Sequence, residues 1–176
     1  MFDLEKLNYS KIFVKKCKSE LEKLKFSNEY DYDRFIREET GELITNYKLG
    51  NLDKRLLIDD ICDSIWTLTA ILHEKDVSLI FDFFESLNVV AEKEDELIVL
   101  LDDFVKIKKY DLALLTVFKV AKINNIDFLK HYDLLIKENM SKLDYPQEKV
   151  GEVFRDGKCN KKDPNGNLYP WYTPQM

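Results

Sequence analysis

Carboxylates recur at helical spacing in two nearby stretches of the chain, a pattern typical of sites that bind a divalent cation. The first stretch holds Glu38, Glu39 and Glu42, and the second holds Asp59, Asp60 and Asp63. On α-helices, the members of each set fall within one arc of about 100° beside an apolar face. Like charges gathered beside a packed face are unfavourable unless a cation neutralises them. Because the ligands offered are hard oxygen atoms, the pattern predicts Mg²⁺, with Mn²⁺ as an alternative.

The elements that must position these acids are two amphipathic helices separated by a short connection. Asp31 or Asp33 is predicted to cap the start of the first helix. Gly50 is predicted to follow its end, and Asp53 to cap the helix that carries the aspartates. Because the connection is short, the two helices are expected to lie antiparallel and adjacent, as a shared cation site requires.

The chain up to residue 143 has apolar residues at helical spacing almost throughout, and no stretch alternates as a strand would. This predicts an all-α fold, a bundle of about six to seven helices in one domain spanning residues 1–143. Residues 144–176 hold all four Pro residues and are predicted to form a non-helical extension that packs on the same domain. The first predicted helix covers residues 3–25, and a break near Asn8–Ser10 is an alternative. The other predicted helices cover residues 77–90, 94–108, 110–123 and 126–143.

The net charge indicates which partners to expect, and the cysteines indicate the redox state of the cellular compartment. The formal net charge of −6 argues against non-specific binding of nucleic acid, which needs a basic surface. Cys17, Cys62 and Cys159 share no metal-type spacing and are interpreted as free thiols in a reducing, cytoplasmic compartment. Residues 1–20 alternate Lys, Glu and apolar residues, so they are not expected to act as a secretory signal. No apolar run approaches the ~20 residues of a membrane span.

The two acidic stretches resemble a known signature. Glu-Glu-x-x-Glu followed by acid-x-x-Asp is similar to the motif of the all-α nucleoside triphosphate pyrophosphohydrolases, the superfamily of MazG, the dimeric dUTPases and dCTPases, and phosphoribosyl-ATP pyrophosphohydrolase. Glu38, Glu39 and Glu42 match the first half, and Asp60 and Asp63 match the second. Asp60 stands where the family usually has Glu. The resemblance implies that all five acids take part in holding Mg²⁺, with Asp60 in an assisting role.

A second block resembles one branch of that superfamily, common in phage and bacterial proteins. Asn139-Met140-Ser141-Lys142 closes the last predicted helix, and Asp156-Gly157-Lys158 follows in the extension. The resemblance covers roughly residues 34–73 and 124–174. The helices between about 76 and 110 resemble an insertion relative to compact members.

The resemblance implies an enzyme that cleaves a nucleoside triphosphate between its α and β phosphates, giving the monophosphate and pyrophosphate. One of the glutamates, Glu39 or Glu42, is predicted to take the proton of the attacking water. Asn139, Lys142 and Lys158 would bind phosphate or ribose. Such enzymes are usually dimeric, so a homodimer or homotetramer is expected, in the cytoplasm of a bacterium or a phage-infected cell.

Several residues allow a second interpretation. The acids also fit a solvated helix face, and Asp59 in particular fits an exposed acid. Asp111 is an alternative metal ligand, because in compact relatives the helix that leads into the Asn139 block carries the metal aspartate. Trp66 and Phe35 fit the core better than a base-stacking platform.

On the same scaffold, a non-catalytic protein that sequesters a nucleotide or binds a host protein is the alternative function.

Overall fold

The computed structural model describes residues 4–23, 32–50, 53–86 and 93–143, and its regular structure in these ranges is entirely α-helical. The predicted all-α fold is therefore confirmed, and the helices found in the described ranges match the predicted number. In chain order they are α1 Leu4–Lys23, α2 Tyr32–Lys48, α3 Lys54–Ile71, α4 Glu74–Ser86, α5 Glu94–Lys106, α6 Tyr110–Ile123 and α7 Phe128–Leu143.

Helix α3 is the centre of the bundle and packs against α1, α2, α6 and α7. Apolar residues cover most of its circumference, and Ile61, Ile65 and Leu68 are fully buried. A helix with so wide an apolar face is stable only when neighbours surround it on most sides. Trp66, also on α3, packs edge-on against the ring of Phe13 with centroids 5.8 Å apart. This confirms that Trp66 is a core residue.

Helix α7 runs parallel to α3 in a defined register. Cys62 Sγ on α3 lies 3.9 Å from the carbonyl oxygen of Phe128 on α7. One turn further along both helices, the rings of Trp66 and Tyr132 have centroids 5.9 Å apart. The two contacts advance by the same number of residues on each helix, so both chains run in the same direction.

A cluster of phenylalanine rings joins α4, α6 and α7. Phe118 on α6 is fully buried, and its centroid lies 5.8 Å from that of Phe81 and 5.2 Å from that of Phe84. On its other side Phe118 stacks on Phe128 at 5.1 Å. Burying a Phe side chain contributes about 1.5–3 kcal/mol, so this cluster is a major source of stability for the second half of the bundle.

The predicted ends of the acidic helices are confirmed in two places, and the cap of α2 by Asp31 or Asp33 stays a prediction for Asp31. Gly50 follows α2 with a φ of 68°, a conformation that residues with a Cβ rarely adopt. Asp53 caps α3, since its Oδ1 accepts a hydrogen bond from Arg55 N at 2.8 Å. Asp33 does not cap α2, because it lies inside the first turn, where its carboxylate contacts the α5–α6 connection. Asp31 lies outside the described residues.

Other features of the helices also differ from the predictions. Helix α1 continues through residues 8–10, so the break considered there is absent. Its Ser10 hydroxyl donates to the Leu7 carbonyl at 3.1 Å, which satisfies the hydroxyl inside the helix. Helix α4 begins at Glu74, earlier than predicted, because Val77 N already donates to the His73 carbonyl at 3.0 Å.

The predicted extension, residues 144–176, lies outside the described residues. None of the helices in the described ranges combines the length and the apolar character that a membrane span requires.

Candidate functional site

Helices α2 and α3 lie side by side and run in opposite directions, as their short connection predicts. Two contacts across the interface define the register. Asn46 Nδ2 donates to Asp60 Oδ2 at 2.8 Å, and Ser64 Oγ donates to the Glu39 carbonyl at 3.4 Å. Glu42 lies between Glu39 and Asn46 on α2, so it is level with the α3 turn between Asp60 and Ser64. The antiparallel and adjacent arrangement is confirmed.

Asp60 is the most enclosed acid in this interface, with 7% of its surface exposed. Burial raises the pKa of its carboxyl group, because loss of solvent disfavours the charged form. The hydrogen bond from Asn46 opposes that shift, whereas the charges of Glu42 and Asp59 raise the pKa further. Asp60 is therefore a buried carboxylate close to two others, the kind of group that a cation stabilises.

The other predicted ligands lie nearer the surface on the same adjoining turns. Glu38, Glu39 and Asp63 are partly exposed, and Glu42 is exposed. We call the surface formed by these four residues and Asp60 the acidic face. In the part of the chain that the structure describes, no three Asp, Glu, His or Cys side chains converge closely enough to hold a metal ion. The acids share a face without forming a compact ligand set, so Mg²⁺ binding stays a prediction.

Asn46 is a residue of this face that the sequence analysis missed. Its partly buried amide is the contact that ties α2 to the Asp60 carboxylate. The sequence does indicate that Asn46 belongs to this face, because Asn46 follows Glu42 by four residues and Glu39 by seven. Those spacings put all three side chains on one side of α2.

Positive side chains lie at the start of α2, beside the acidic face. A cleft of about 320 Å³ is lined by Asp33, Arg34, Arg37 and Glu38. Within it, Arg34 Nε donates to Glu38 Oε1 at 3.1 Å. Arg37 is exposed, and its charge helps to lower the pKa of Asp33 after the larger effects of hydrogen bonds from Lys108 and Tyr110. The arginines supply cations that the sequence analysis had expected only from the lysines of the last block.

The second predicted block begins on α7. Asn139 is buried there, seven residues beyond Tyr132, whose ring contacts that of Trp66 on α3. Its contact to phosphate or ribose stays a prediction.

The remaining predicted residues lie on other parts of the helices or outside the described residues. Lys142 belongs to the last turn of α7, and Lys158 lies outside the described residues, so their phosphate contacts stay predictions. Asp111 is exposed in the first turn of α6, and Phe35 is partly buried on α2. Cys62 is a buried thiol whose pKa is raised by its burial, which makes it a poor nucleophile.

No protein-family model, curated protein or solved structure matches this chain. The resemblance to the pyrophosphohydrolases accordingly depends on the quoted residues and stays a prediction.

Proposed function

We propose that this protein is a magnesium-dependent nucleoside triphosphate pyrophosphohydrolase, which cleaves a (deoxy)nucleoside triphosphate to the monophosphate and pyrophosphate. The observation that carries the proposal is the α2–α3 pairing, through which Glu39, Glu42, Asp60 and Asp63 occupy adjoining turns of two helices. This is the arrangement that the paired acidic motifs require. A homodimer or homotetramer is part of the proposal.

The residues of the acidic face suit a hard divalent cation. Every side chain offers oxygen, and the buried carboxylate of Asp60 is held by a neutral amide, which leaves its negative charge in place. Glu38, Glu39, Glu42 and Asp63 would hold Mg²⁺, with Asp60 assisting. When bound, the ion would lower the pKa of a coordinated water and offset the charge of phosphate oxygens.

Side chains of the protein would accept the proton of the water and bind the phosphate groups. Glu39 or Glu42 would accept the proton of the attacking water, and both have surface that solvent can reach. Arg34 and Arg37, in the cleft beside Glu38, supply cations suited to phosphate oxygens. Asn139, Lys142 and Lys158 stay proposed contacts to phosphate or ribose.

A second candidate function is a non-catalytic protein that sequesters a nucleotide or binds a host protein. Two observations favour it. No three acids converge in the described ranges, and Asp60, which replaces the family's usual Glu, uses one carboxylate oxygen for a contact within the protein.

The test is to incubate the full-length protein with a panel of nucleoside triphosphates and Mg²⁺, and to separate the products. Monophosphate plus pyrophosphate supports the enzyme, and binding without cleavage supports the sequestering protein. Glu39→Ala and Asp63→Ala are each expected to abolish pyrophosphate release while the helical circular-dichroism signal stays unchanged. Unchanged turnover in either variant would contradict the proposal.

Asp103→Ala is the matched control, because Asp103 is an exposed acid on α5, away from the α2–α3 interface. It removes one negative charge from the surface without touching the acidic face. Turnover equal to that of the unaltered protein is expected, which separates a local effect from a general change in charge.

A further inference from the structure

Helix α5 carries an exposed apolar stripe on the side that faces away from the bundle. Its other side is buried where it packs with α6 and α2, through Leu97, Ile98, Leu101 and Val105. On the stripe, Val99, Leu100 and Ile107 are 56%, 43% and 62% exposed. At about 100° per residue, these three side chains fall within one arc of about 100°. Single exposed apolar residues are common, whereas three large ones on one helix face indicate a surface that another molecule covers.

The charges at the two ends of this stripe have opposite sign. The first turn of α5 holds the exposed acids Asp95 and Glu96, and the last turn holds the exposed Lys106. Glu96 and Lys106 each have a partner within α5 or its cap, Lys93 and Asp102 respectively, but exposed ion pairs of this kind contribute little to stability. The stripe therefore has an apolar centre, an acidic end and a basic end.

We propose that this stripe is covered by the same stripe of a second copy of the chain, with the two α5 helices antiparallel about a two-fold axis. Such an interface joins one surface patch to itself, so a patch whose two ends attract each other is complementary to its own copy. The acidic end of each helix then lies beside the basic end of the other, and the apolar residues of both copies form the centre. In a parallel arrangement each end would meet an end of the same sign, and the exposed Asp103 would face its own copy.

A homo-oligomer is part of the proposed function, and the inference rests on that part by naming the surface that forms it. The acidic face lies on α2 and α3, so turnover is not expected to depend on the contact between the two α5 helices. Helix α5 has 13 residues and is about 20 Å long. The interface is therefore expected to be small, and the dimer to dissociate on dilution.

The experiment is sedimentation equilibrium of the full-length protein at a series of concentrations, which gives the dissociation constant of the dimer. Leu100→Glu puts a carboxylate into the apolar centre from both copies and is expected to raise that constant by roughly 10-fold or more. Leu79→Glu is the matched control, because Leu79 is an exposed leucine on a different helix, α4. Its dissociation constant is expected to equal that of the unaltered protein. Equal weakening in the two variants would overturn the inference, as would a dimer that Leu100→Glu leaves unchanged.

An exchange of charges tests the antiparallel direction. Glu96→Lys and Lys106→Glu each bring like charges together across the interface, so each variant alone is expected to associate more weakly than the unaltered protein. Mixing the two variants restores opposite charges at both ends, so a mixed dimer is expected to form in preference to either homodimer. Native mass spectrometry with one variant isotopically labelled measures the mixed dimer. A mixture that associates no better than each variant alone would overturn the inference.

The outcomes also distinguish this inference from the function on which it rests. If the protein is dimeric and the α5 variants leave the dimer unchanged, the inference fails and the homo-oligomer stands. If the protein is monomeric at every concentration, the inference and the oligomeric part of the proposed function both fail. Release of pyrophosphate is measured separately, and its absence would overturn the proposed enzyme without altering the dimer. Should a charge reversal fail to fold, as judged by circular dichroism, Glu96→Gln and Lys106→Gln replace it, and an unchanged dissociation constant in both would overturn the inference.

Discussion

The hydroxyl of Tyr110, at the start of α6, donates a hydrogen bond to Asp33 Oδ1 on α2 at 2.5 Å, while Lys108 contacts Oδ2 of the same carboxylate. The hydrogen bond from Lys108, followed by that from Tyr110, lowers the pKa of Asp33. Lys108 adopts a φ of 58°, so a residue with a side chain occupies a backbone position that usually favours glycine. This contact ties the start of α2 to the second half of the bundle.

Asp33→Asn is expected to lower the free energy of unfolding at pH 7 by about 1 kcal/mol, because the charge-assisted bonds are lost. A lowered pKa means that the stabilisation is complete above the ordinary value of 3.8 and is lost as the pH falls through the folded-state pKa. The difference between the two proteins should therefore close below about pH 3.8, as measured by denaturant melts at pH 7 and pH 3. A constant difference across that range would contradict the assignment.

Asp60→Asn is expected to raise the melting temperature at pH 7 in EDTA by a few degrees, of the order of 1 kcal/mol in a protein of this size. The pKa of Asp60 is raised by burial, so the folded protein holds this proton more tightly than the unfolded chain. Its ionisation therefore costs stability as the pH rises, and the advantage of the variant should disappear at pH 3. With Mg²⁺ and a triphosphate present, the same variant is expected to lose turnover.

Two glycines in α2 and at its end should respond in opposite ways to alanine. A Cβ at Gly41, inside the helix, would meet no atom within 4 Å, so Gly41→Ala is expected to stabilise the protein by about 0.5–1 kcal/mol. Gly50 has the same free space but a φ of 68°, so Gly50→Ala is expected to destabilise it by about 1 kcal/mol. Chemical denaturation of both variants gives the comparison. Effects of the same sign would contradict the assigned end of α2.

The two halves of the core can be probed with one large and one small truncation. Phe118→Ala, which empties the centre of the phenylalanine cluster, is expected to cost about 3–5 kcal/mol. Tyr132→Phe removes a buried hydroxyl that lies near the hydroxyls of Ser10 and Thr69 without a hydrogen bond of standard geometry, so a change below about 1 kcal/mol is expected. A large loss in Tyr132→Phe would mean that this hydroxyl bonds to Ser10 or Thr69.

The helices and their ends follow from local patterns, and this explains what could be predicted. Apolar spacing gives the all-α fold, and the residue types at Gly50 and Asp53 determine their capping geometry. Of the two candidate caps of α2, Asp33 lies inside the helix, where Lys108 and Tyr110, which are far away in the sequence, contact its carboxylate. The sequence around Asp33 does not indicate a partner so far away along the chain.

The acidic face was predictable as a set of residues but not as a geometry. Spacing alone would have included Asn46, which shares a side of α2 with Glu39 and Glu42. Its bond to Asp60 depends on the register of α2 against α3, which is decided by packing.

Helix α3 carries the core of the bundle on most of its circumference and its partly exposed acids, Asp59 and Asp63, on a narrow remaining stripe. The residues that pack in the core and the partly exposed acids thus lie on different sides of α3. Under the proposed function, replacing Asp63 is therefore expected to abolish turnover while the bundle keeps its helical fold.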